Sequence, residues 1–175
     1  MATQKAQNQE QINTVCFTGH RDLNAYLPSS VSKALNKALR ILISHGVEHF
    51  LAGGALGFDT VAALCVLELK EEFPNISLGL ILPCKNQTKL WSDSNKAIYS
   101  EILKEADSVE YIAEAYTANC MHDRNRRLVD KSDICVAFFE HSGGGTAYTV
   151  AYALNQGKEV INIAELIKNH PHRKS

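Results

Sequence analysis

The sequence lacks the features that mark several large classes of protein. No run of apolar residues approaches the roughly 20 that cross a bilayer, and the polar N-terminus offers no signal peptide. The five cysteines form no Cys-x-x-Cys pair and no zinc-ligand spacing, which argues against a disulfide framework and predicts no metal site. We therefore expect a cytoplasmic protein with reduced thiols and no membrane contact.

A basic excess is missing too. The 18 basic and 19 acidic residues nearly cancel, whereas proteins that bind nucleic acid generally present a basic surface. We therefore do not expect a nucleic-acid partner. The exception would be a local basic cluster, because Arg124, Arg126 and Arg127 lie close together in the chain.

The apolar content is sufficient for one domain. Apolar residues make up 45% of the 175, and a chain of this length buries about two-thirds of its unfolded surface. There are six short β-rich runs, and several of them are apolar almost throughout, which is typical of strands buried on both faces of a parallel sheet. These predicted strands are Thr14–Thr18, His49–Ala52, Ile76–Leu82, Ser108–Ile112, Ile134–Phe139 and Glu159–Ile163.

Helical patterns separate the predicted strands. Ser29 or Ser30 is placed to cap the first helix, which ends before Gly46, and Asp59 to cap the second, which ends before Pro74. Three further helices are predicted over about 93–105, 119–131 and 146–156.

This alternation predicts the fold class. We expect an α/β, Rossmann-like three-layer domain over residues 12–168, with a mostly parallel sheet of about six strands covered by helices on both faces. Residues 1–11 and 169–175 are predicted to be flexible tails. In such sheets ligands bind beyond the carboxyl ends of the strands, so the chemically unusual residues should follow strands.

The first such group, Thr18, Gly19, His20 and Arg21, directly follows the first strand. Gly19 permits a tight turn, Arg21 offers a forked donor for phosphate, and His20 can donate to phosphate or act as an acid or base. The alternative is a polar loop in which Arg21 pairs with a neighbouring Asp. Its position after a strand favours the binding interpretation.

The second group, Gly53, Gly54, Gly57 and Asp59, follows the second strand and enters a helix. Absent side chains let backbone amides approach an anion, and the helix N-terminus adds partial positive charge. The spacing is not the dinucleotide fingerprint, so this signal is weak alone. Asp59 has two interpretations, a helix cap or a hydrogen-bonding partner for a ribose or base.

The third group opens the helix before the fifth strand. Arg124 and Asn125 lie near its start and can meet a ligand at the strand ends. Arg127 and Asp130 are three residues apart and are interpreted as a solvated ion pair worth under about 1 kcal/mol. Asp133 is interpreted as a turn residue.

The strongest local signal is Gly143–Gly145 followed by Thr146, between a strand and a helix. Three consecutive glycines cost backbone entropy, so a phosphate-binding loop explains them better than a plain turn. Thr146 can cap the helix and also bond a phosphate oxygen. The Walker pattern G-x-x-x-x-G-K-[ST] is absent, which argues against an ATPase of that type.

Three softer features accompany these groups. Gln87 and Trp91 follow the third strand in a polar loop, and Trp91 is the only tryptophan. It either stacks on a base or packs on the core as a lid, and packing is favoured. Tyr148, within the fifth helix, is interpreted as packing.

These groups of residues, in this order along the chain, resemble the SLOG superfamily, the Rossmann-like domains shared by DNA-processing protein A and the LONELY GUY proteins. The residues Thr18–Arg21, the Gly53–Asp59 loop and the segment from Gln87 to Trp91 resemble its YpsA-like (DUF1273) group. The resemblance covers roughly residues 13–163. It implies a nucleotide or ADP-ribose-like ligand at the glycine loops and a homo-oligomer.

LONELY GUY proteins are similar to phosphoribohydrolases that release the base from a nucleoside 5′-monophosphate. Their M-H-E-R-K motif matches Met121–Asn125, which keeps Arg124, and their P-G-G-x-G-T-x-x-E motif matches Ser142 onward. The catalytic glutamate of that motif is Thr149 here, and a hydroxyl cannot supply the carboxylate that supports charge on the ribose. The carboxylates that can stand in are those of Asp59, Asp123 and Glu140.

Three functions follow from these patterns. The first is a ligand-binding sensor or carrier domain in which the glycine loops hold a nucleotide phosphate. The second is a phosphoribohydrolase-like N-glycosidase, with Arg124 and Asp59 as its catalytic candidates. The third, by analogy with DNA-processing protein A, is a single-stranded DNA-binding protein, which the balanced charge disfavours.

Overall fold

The computed structural model describes residues 12–23 and 26–169. Within these ranges six strands form one sheet in the order β4-β3-β2-β1-β5-β6, and each of the five strand pairings is parallel. This confirms the predicted α/β class and the mostly parallel sheet. The strands are β1 (Thr14–Gly19), β2 (His49–Ala52), β3 (Ser77–Cys84), β4 (Ser108–Ala113), β5 (Ile134–Phe138) and β6 (Glu159–Asn162).

Helices cover both faces of the sheet, so the fold has three layers. On one face α1 packs beside α2 and α6, and on the other α4 packs beside α5. Within the described ranges no helix is long and apolar enough to cross a membrane. The helices are α1 (Pro28–Ser44), α2 (Phe58–Glu72), α3 (Asp93–Glu105), α4 (Cys120–Asp130), α5 (Gly144–Asn155) and α6 (Ile163–Asn169).

The central strands are apolar on both sides because both sides are covered. In β1, Val15 and Phe17 join the core beneath α1 and α2, and Cys16 between them joins the core beneath α4 and α5. This follows from the two-residue repeat of a strand, which sends successive side chains to opposite faces. Cys16 lies beside its register partner Cys135, and both are buried thiols that act as small apolar groups.

Three predicted helix caps are wrong. Helix α1 has Pro28 in its first turn and Leu27 as its N-cap, so the serines after Pro28 are already helical. Proline suits this place because its missing N–H is one that the helix leaves unpaired. Asp59 and Thr146 likewise lie inside the first turns of α2 and α5, whose caps are glycines without a side-chain bond.

The C-terminal part of the described chain adds one element that the sequence analysis missed. Helix α6 follows β6 without a break, and its first two residues, Ile163 and Ala164, are fully buried. Its seven residues are too few to show a helical period clearly against the adjoining strand. The predicted tails lie outside the described residues, except Asn169, which ends α6.

Candidate functional site

A cleft of about 410 Å³ opens at the carboxyl ends of β1 and β5. The strand order reverses between these two neighbours, because β2 to β4 lie on one side of β1, and β5 and β6 on the other. Such a switch point is where open α/β sheets bind ligands, and the volume suits a small molecule. The cleft is lined by Phe17, Thr18, Gly19, His20, Arg21, Ala55, Asp59, Arg124, Asn125 and His141–Thr146.

One wall of the cleft is the glycine loop that begins α5. Gly143 and Gly144 have φ of 122° and 74°, and a Cβ on either would meet no described atom within 4 Å. The backbone, with little side-chain cover, therefore faces the cleft. The first N–H groups of a helix have no intrahelical partner, and the helix dipole makes this end partly positive. The wall is suited to an anion.

Arg21 contributes a second positive group to the cleft. Its side chain is exposed and lines the cleft, and it forms no ion pair within residues 12–23 and 26–169. The alternative interpretation, in which Arg21 pairs with a neighbouring Asp, is therefore not what this part of the chain shows. An unpaired guanidinium at a cleft wall can make forked hydrogen bonds to phosphate.

The floor of the cleft contains a buried pair, Asp59 and Arg124. The Arg124 Nη1 atom lies 3.8 Å from Asp59 Oδ2 and donates to the Gly53 carbonyl, while its Nε donates to Asn125 Oδ1 at 2.7 Å. Asp59 Oδ2 also accepts the Ala55 N–H at 3.2 Å. Burial raises the pKa of Asp59, and the charge of Arg124 offsets this only in part. Burial likewise lowers the pKa of Arg124, against the attraction of Asp59.

His20 joins the two loops that form the walls. Its Nε2 accepts the Glu140 N–H at 3.1 Å, and its ring stacks on His141 with centroids 4.1 Å apart and planes 10° from parallel. An accepting Nε2 requires a neutral imidazole. Burial and then the neighbouring His141 lower the pKa of His20, and Glu140 opposes them.

We predict that His20→Phe, which keeps a ring but loses the acceptor, reduces stability mainly above pH 6.5. Because the pKa of His20 is lower in the folded state than its ordinary 6.5, the unfolded chain binds the proton more readily. The contribution of His20 is therefore fully present above 6.5 and is lost as the pH falls through the folded pKa. Denaturant titrations from about pH 8 to pH 5 measure the wild-type-minus-variant difference. A difference that does not shrink toward acid would contradict the assignment.

The structure gathers most of the predicted binding residues, but Gly53, Gly54 and Gly57 do not line the cleft. A Cβ on Gly53 would overlap the Arg124 guanidinium, and one on Gly57 would overlap the Arg21 backbone. These glycines therefore allow close packing behind the cleft, and a direct contact with ligand stays a prediction.

Of the three carboxylates proposed to replace the missing glutamate, one lines the cleft and two do not. Asp123 does not line the cleft, and neither does Glu140, which forms an ion pair with Lys168 at 3.2 Å. Thr149 is buried and donates to the Gly145 carbonyl at 2.8 Å, so it supports the glycine loop from behind. Asp59 is the one carboxylate among the described lining residues.

The three arginines of α4 do not form a basic patch. Arg124 is buried, Arg126 lies over the Tyr148 ring, and Arg127 pairs with Glu110 at 2.9 Å. The predicted Arg127–Asp130 ion pair is therefore wrong, because Glu110 on β4 is the nearer partner and Asp130 accepts the Tyr152 hydroxyl instead.

Three softer features take packing or supporting roles. Trp91 packs edge-to-face on Tyr99, with the ring centroids 5.4 Å apart. The Gln87 side-chain amide donates to the Tyr99 hydroxyl at 3.0 Å. The Tyr148 ring lies edge-on to the His122 ring, with the ring centroids 4.5 Å apart.

Asp133 is more than a turn residue, because its carboxylate accepts the backbone N–H groups of residues 13 and 14.

His141 lines the cleft beside the glycine loop, although the sequence did not single it out as a binding residue. The available signal was its position, since it lies three residues after β5 and directly before Ser142 and the glycines. Its stacking on His20 could not be foreseen, because the two residues are 121 positions apart.

Comparison with known families matches this chain to the YspA SLOG family, whose model aligns with residues 15–169. A UPF0398 protein of Staphylococcus epidermidis is 30% identical over 138 residues, which cover 74% of this chain and 73% of that protein. A UPF0398 protein of Halalkalibacterium halodurans is 32% identical over 143 residues, which cover 80% and 76%.

Among solved structures, DNA processing protein A from Helicobacter pylori superimposes with a TM-score of 0.63 at 18% identity, over 91% of this chain and 73% of that one. The Streptococcus pneumoniae protein of the same name gives 0.62 at 16% identity, over 91% and 57%. At these identities the likeness establishes the shared fold.

Proposed function

The chain belongs to the YspA SLOG family, and from that premise we propose that its cleft binds a nucleotide or a nucleotide-derived phosphate, as a ligand sensor or carrier. The observation that carries the proposal is the pairing of two anion-binding groups in one cleft. The open glycine loop at the start of α5 forms one wall, and the exposed guanidinium of Arg21 lines the same space.

The charge balance of the lining residues supports an anionic ligand. Asp59 is accompanied by Arg124 at 3.8 Å, so the floor carries no excess of negative charge. Arg21 then leaves the cleft with a net positive charge, to which the α5 dipole adds. Because Arg124 is held by Gly53 and Asn125, we assign it to the floor and give phosphate contact to Arg21.

Titration calorimetry with mononucleotides, dinucleotides and ADP-ribose tests this proposal. We predict that Arg21→Gln weakens binding about 10- to 100-fold, because a hydrogen bond to a charged group is worth about 1.5–3 kcal/mol. Arg126→Gln is the matched control, since it removes the same charge from an exposed site outside the cleft. Failure of the wild type to bind any ligand of the panel would refute the proposal, as would equal losses in the two variants.

Single-stranded DNA is the second candidate ligand. DNA processing protein A from Helicobacter pylori, which shares the fold, has a described single-stranded DNA binding mode. This likeness weakens the expectation that nucleic acid is not a partner, although the arginines of α4 present no joint basic surface. A gel shift with an oligothymidylate at low salt tests it, since phosphate contacts are strongest there.

An N-glycosidase is the alternative activity of the same cleft. Asp59 is a carboxyl group with a raised pKa at the floor, and Arg124 lies beside it. Incubation with nucleoside monophosphates and chromatography for free base measures this activity. Release of base that Asp59→Asn abolishes would replace the binding function with catalysis.

Neither assembly nor location follows from the site: the homo-oligomer is what the family resemblance implies, and the cytoplasmic location is inferred from the cysteine usage. We propose that residues 12–168 form one domain, that the protein is cytoplasmic and that it assembles as a homo-oligomer. Sedimentation velocity measures the assembly.

A further inference from the structure

The imidazole of His141 forms the outer ring of a stack at the cleft. The inner ring, His20, is 9% exposed and is held by the Glu140 N–H at 3.1 Å. His141 lies parallel to it at 4.1 Å and is exposed. In residues 12–23 and 26–169 its one ring contact is the stack on His20, which covers one face, and the exposed His141 lines the cleft. An exposed flat ring that is held at a cleft and has no ring contact on its second face can stack on the flat ring of a ligand.

We infer that His141 is the stacking platform for the base of a nucleotide and that it selects ligands with an aromatic base over simple sugar phosphates. The inference rests on the proposed function, because it takes the phosphate to lie at Arg21 and the glycine loop. It adds two points to that function: the ligand carries an aromatic base, and His141 determines the specificity for it.

The chain places this platform at the right distance from the phosphate site. His141 is two residues before Gly143, so their Cα atoms are at most about 7 Å apart. Both residues line the same cleft. A phosphate at the amides of the glycine loop and a base on the open face of His141 would therefore be separated by about one sugar.

A stacking role differs in its chemistry from a second phosphate contact. Stacking needs a flat aromatic face and no N–H group, so phenylalanine can replace histidine. A hydrogen bond to phosphate needs the imidazole N–H, which phenylalanine lacks. His141→Phe and His141→Ala therefore separate the two roles. His49→Ala is the control, since His49 is exposed at the opposite end of the sheet, where β2 begins.

The experiment measures the affinity of AMP and of ribose 5-phosphate for the wild type and these three variants. We expect His141→Ala to weaken AMP about five- to tenfold, the lower end for loss of a base-stacking ring, and to leave ribose 5-phosphate unchanged. His141→Phe and His49→Ala should bind AMP as the wild type does.

Other outcomes have distinct meanings. Equal loss of AMP and ribose 5-phosphate in His141→Ala, or a loss in His141→Phe as large as in His141→Ala, overturns the stacking role in favour of a phosphate contact. Unchanged AMP binding in His141→Ala overturns any ligand contact. Failure of the wild type to bind either ligand instead removes the proposed function on which the inference rests. Thermal unfolding of each variant shows whether it is folded.

Discussion

Arg124→Met is expected to lower the free energy of unfolding by about 3–5 kcal/mol, whereas Asp59→Asn should cost under about 1 kcal/mol. Without the guanidinium, the Gly53 carbonyl and Asn125 lose their donor and Asp59 loses its only described ion-pair partner, all in a buried place. Asp59→Asn costs less because the amide oxygen of asparagine can still accept the Ala55 N–H, and Arg124 keeps its bonds to the Gly53 carbonyl and Asn125. Burial, which raises the pKa of Asp59, also disfavours the charge that this substitution removes.

The pH dependence of stability provides a control for the prediction on Arg124→Met. In Arg124→Met the burial of Asp59 is opposed by the backbone hydrogen bonds from Ala55 and Gly53 but no longer by the charge of Arg124, the largest opposing influence, so its folded pKa rises further above the ordinary 3.8. A raised folded pKa means that stability is greatest below 3.8 and is lost as the pH rises through the folded value. Arg124→Met should therefore lose stability with rising pH, and the double variant with Asp59→Asn should not. Arg126→Met is the exposed control on the same helix. Equal costs for Arg124→Met and Arg126→Met in denaturant titrations would contradict the buried pair.

Gly57→Ala is expected to destabilise the protein by about 4 kcal/mol. Its φ of 82° and ψ of −124° lie in a region that glycine adopts readily and that a residue with a Cβ adopts only with strain, about 1–3 kcal/mol. The new Cβ would also overlap the backbone of Arg21, and overpacking costs about 1–3 kcal/mol more. The clash displaces the loop that carries Arg21, so affinity for the ligand should fall together with stability.

Gly157→Ala is the matched control for this change. Gly157 has a similar φ of 72°, but a Cβ there would meet no described atom within 4 Å. It should therefore show a conformational cost of about 1–2 kcal/mol without the cost of overlap. Thermal unfolding of both variants measures the difference, and equal losses would mean that the contact with Arg21 is not tight.

The accuracy of the sequence predictions followed the strength of local patterns. The bounds of β2 and α3 agree with the prediction, because an isolated apolar run and a polar helix with a serine cap are complete local signals. Helix starts were predicted less well. At α2 and α5 a glycine with positive φ turns the chain into the helix earlier than the capping side chains suggested.

In the candidate site, too, the features with a local sequence pattern were predicted and those that depend on distant contacts were not. That polar residues follow β1 and β5 was evident from residue order, and parallel strands bring such loops to one edge. The Asp59–Arg124 contact was not evident, because the two residues are 65 positions apart and come from different helices. Each alone had an ordinary interpretation, Asp59 as a cap and Arg124 as a ligand contact.

The sequence by itself determined the alternation of strands and helices, the parallel sheet and the glycine loop at Gly143–Gly145, because these depend on periodicity and on local backbone preference. Only the tertiary structure decided which polar groups face the cleft. Gly53, Gly54 and Gly57 lie behind it, Arg21 faces it without an ion pair to any described residue, and His141 is stacked on His20. The reason is physical: which partners share a buried space depends on how distant segments pack, and local sequence does not record that.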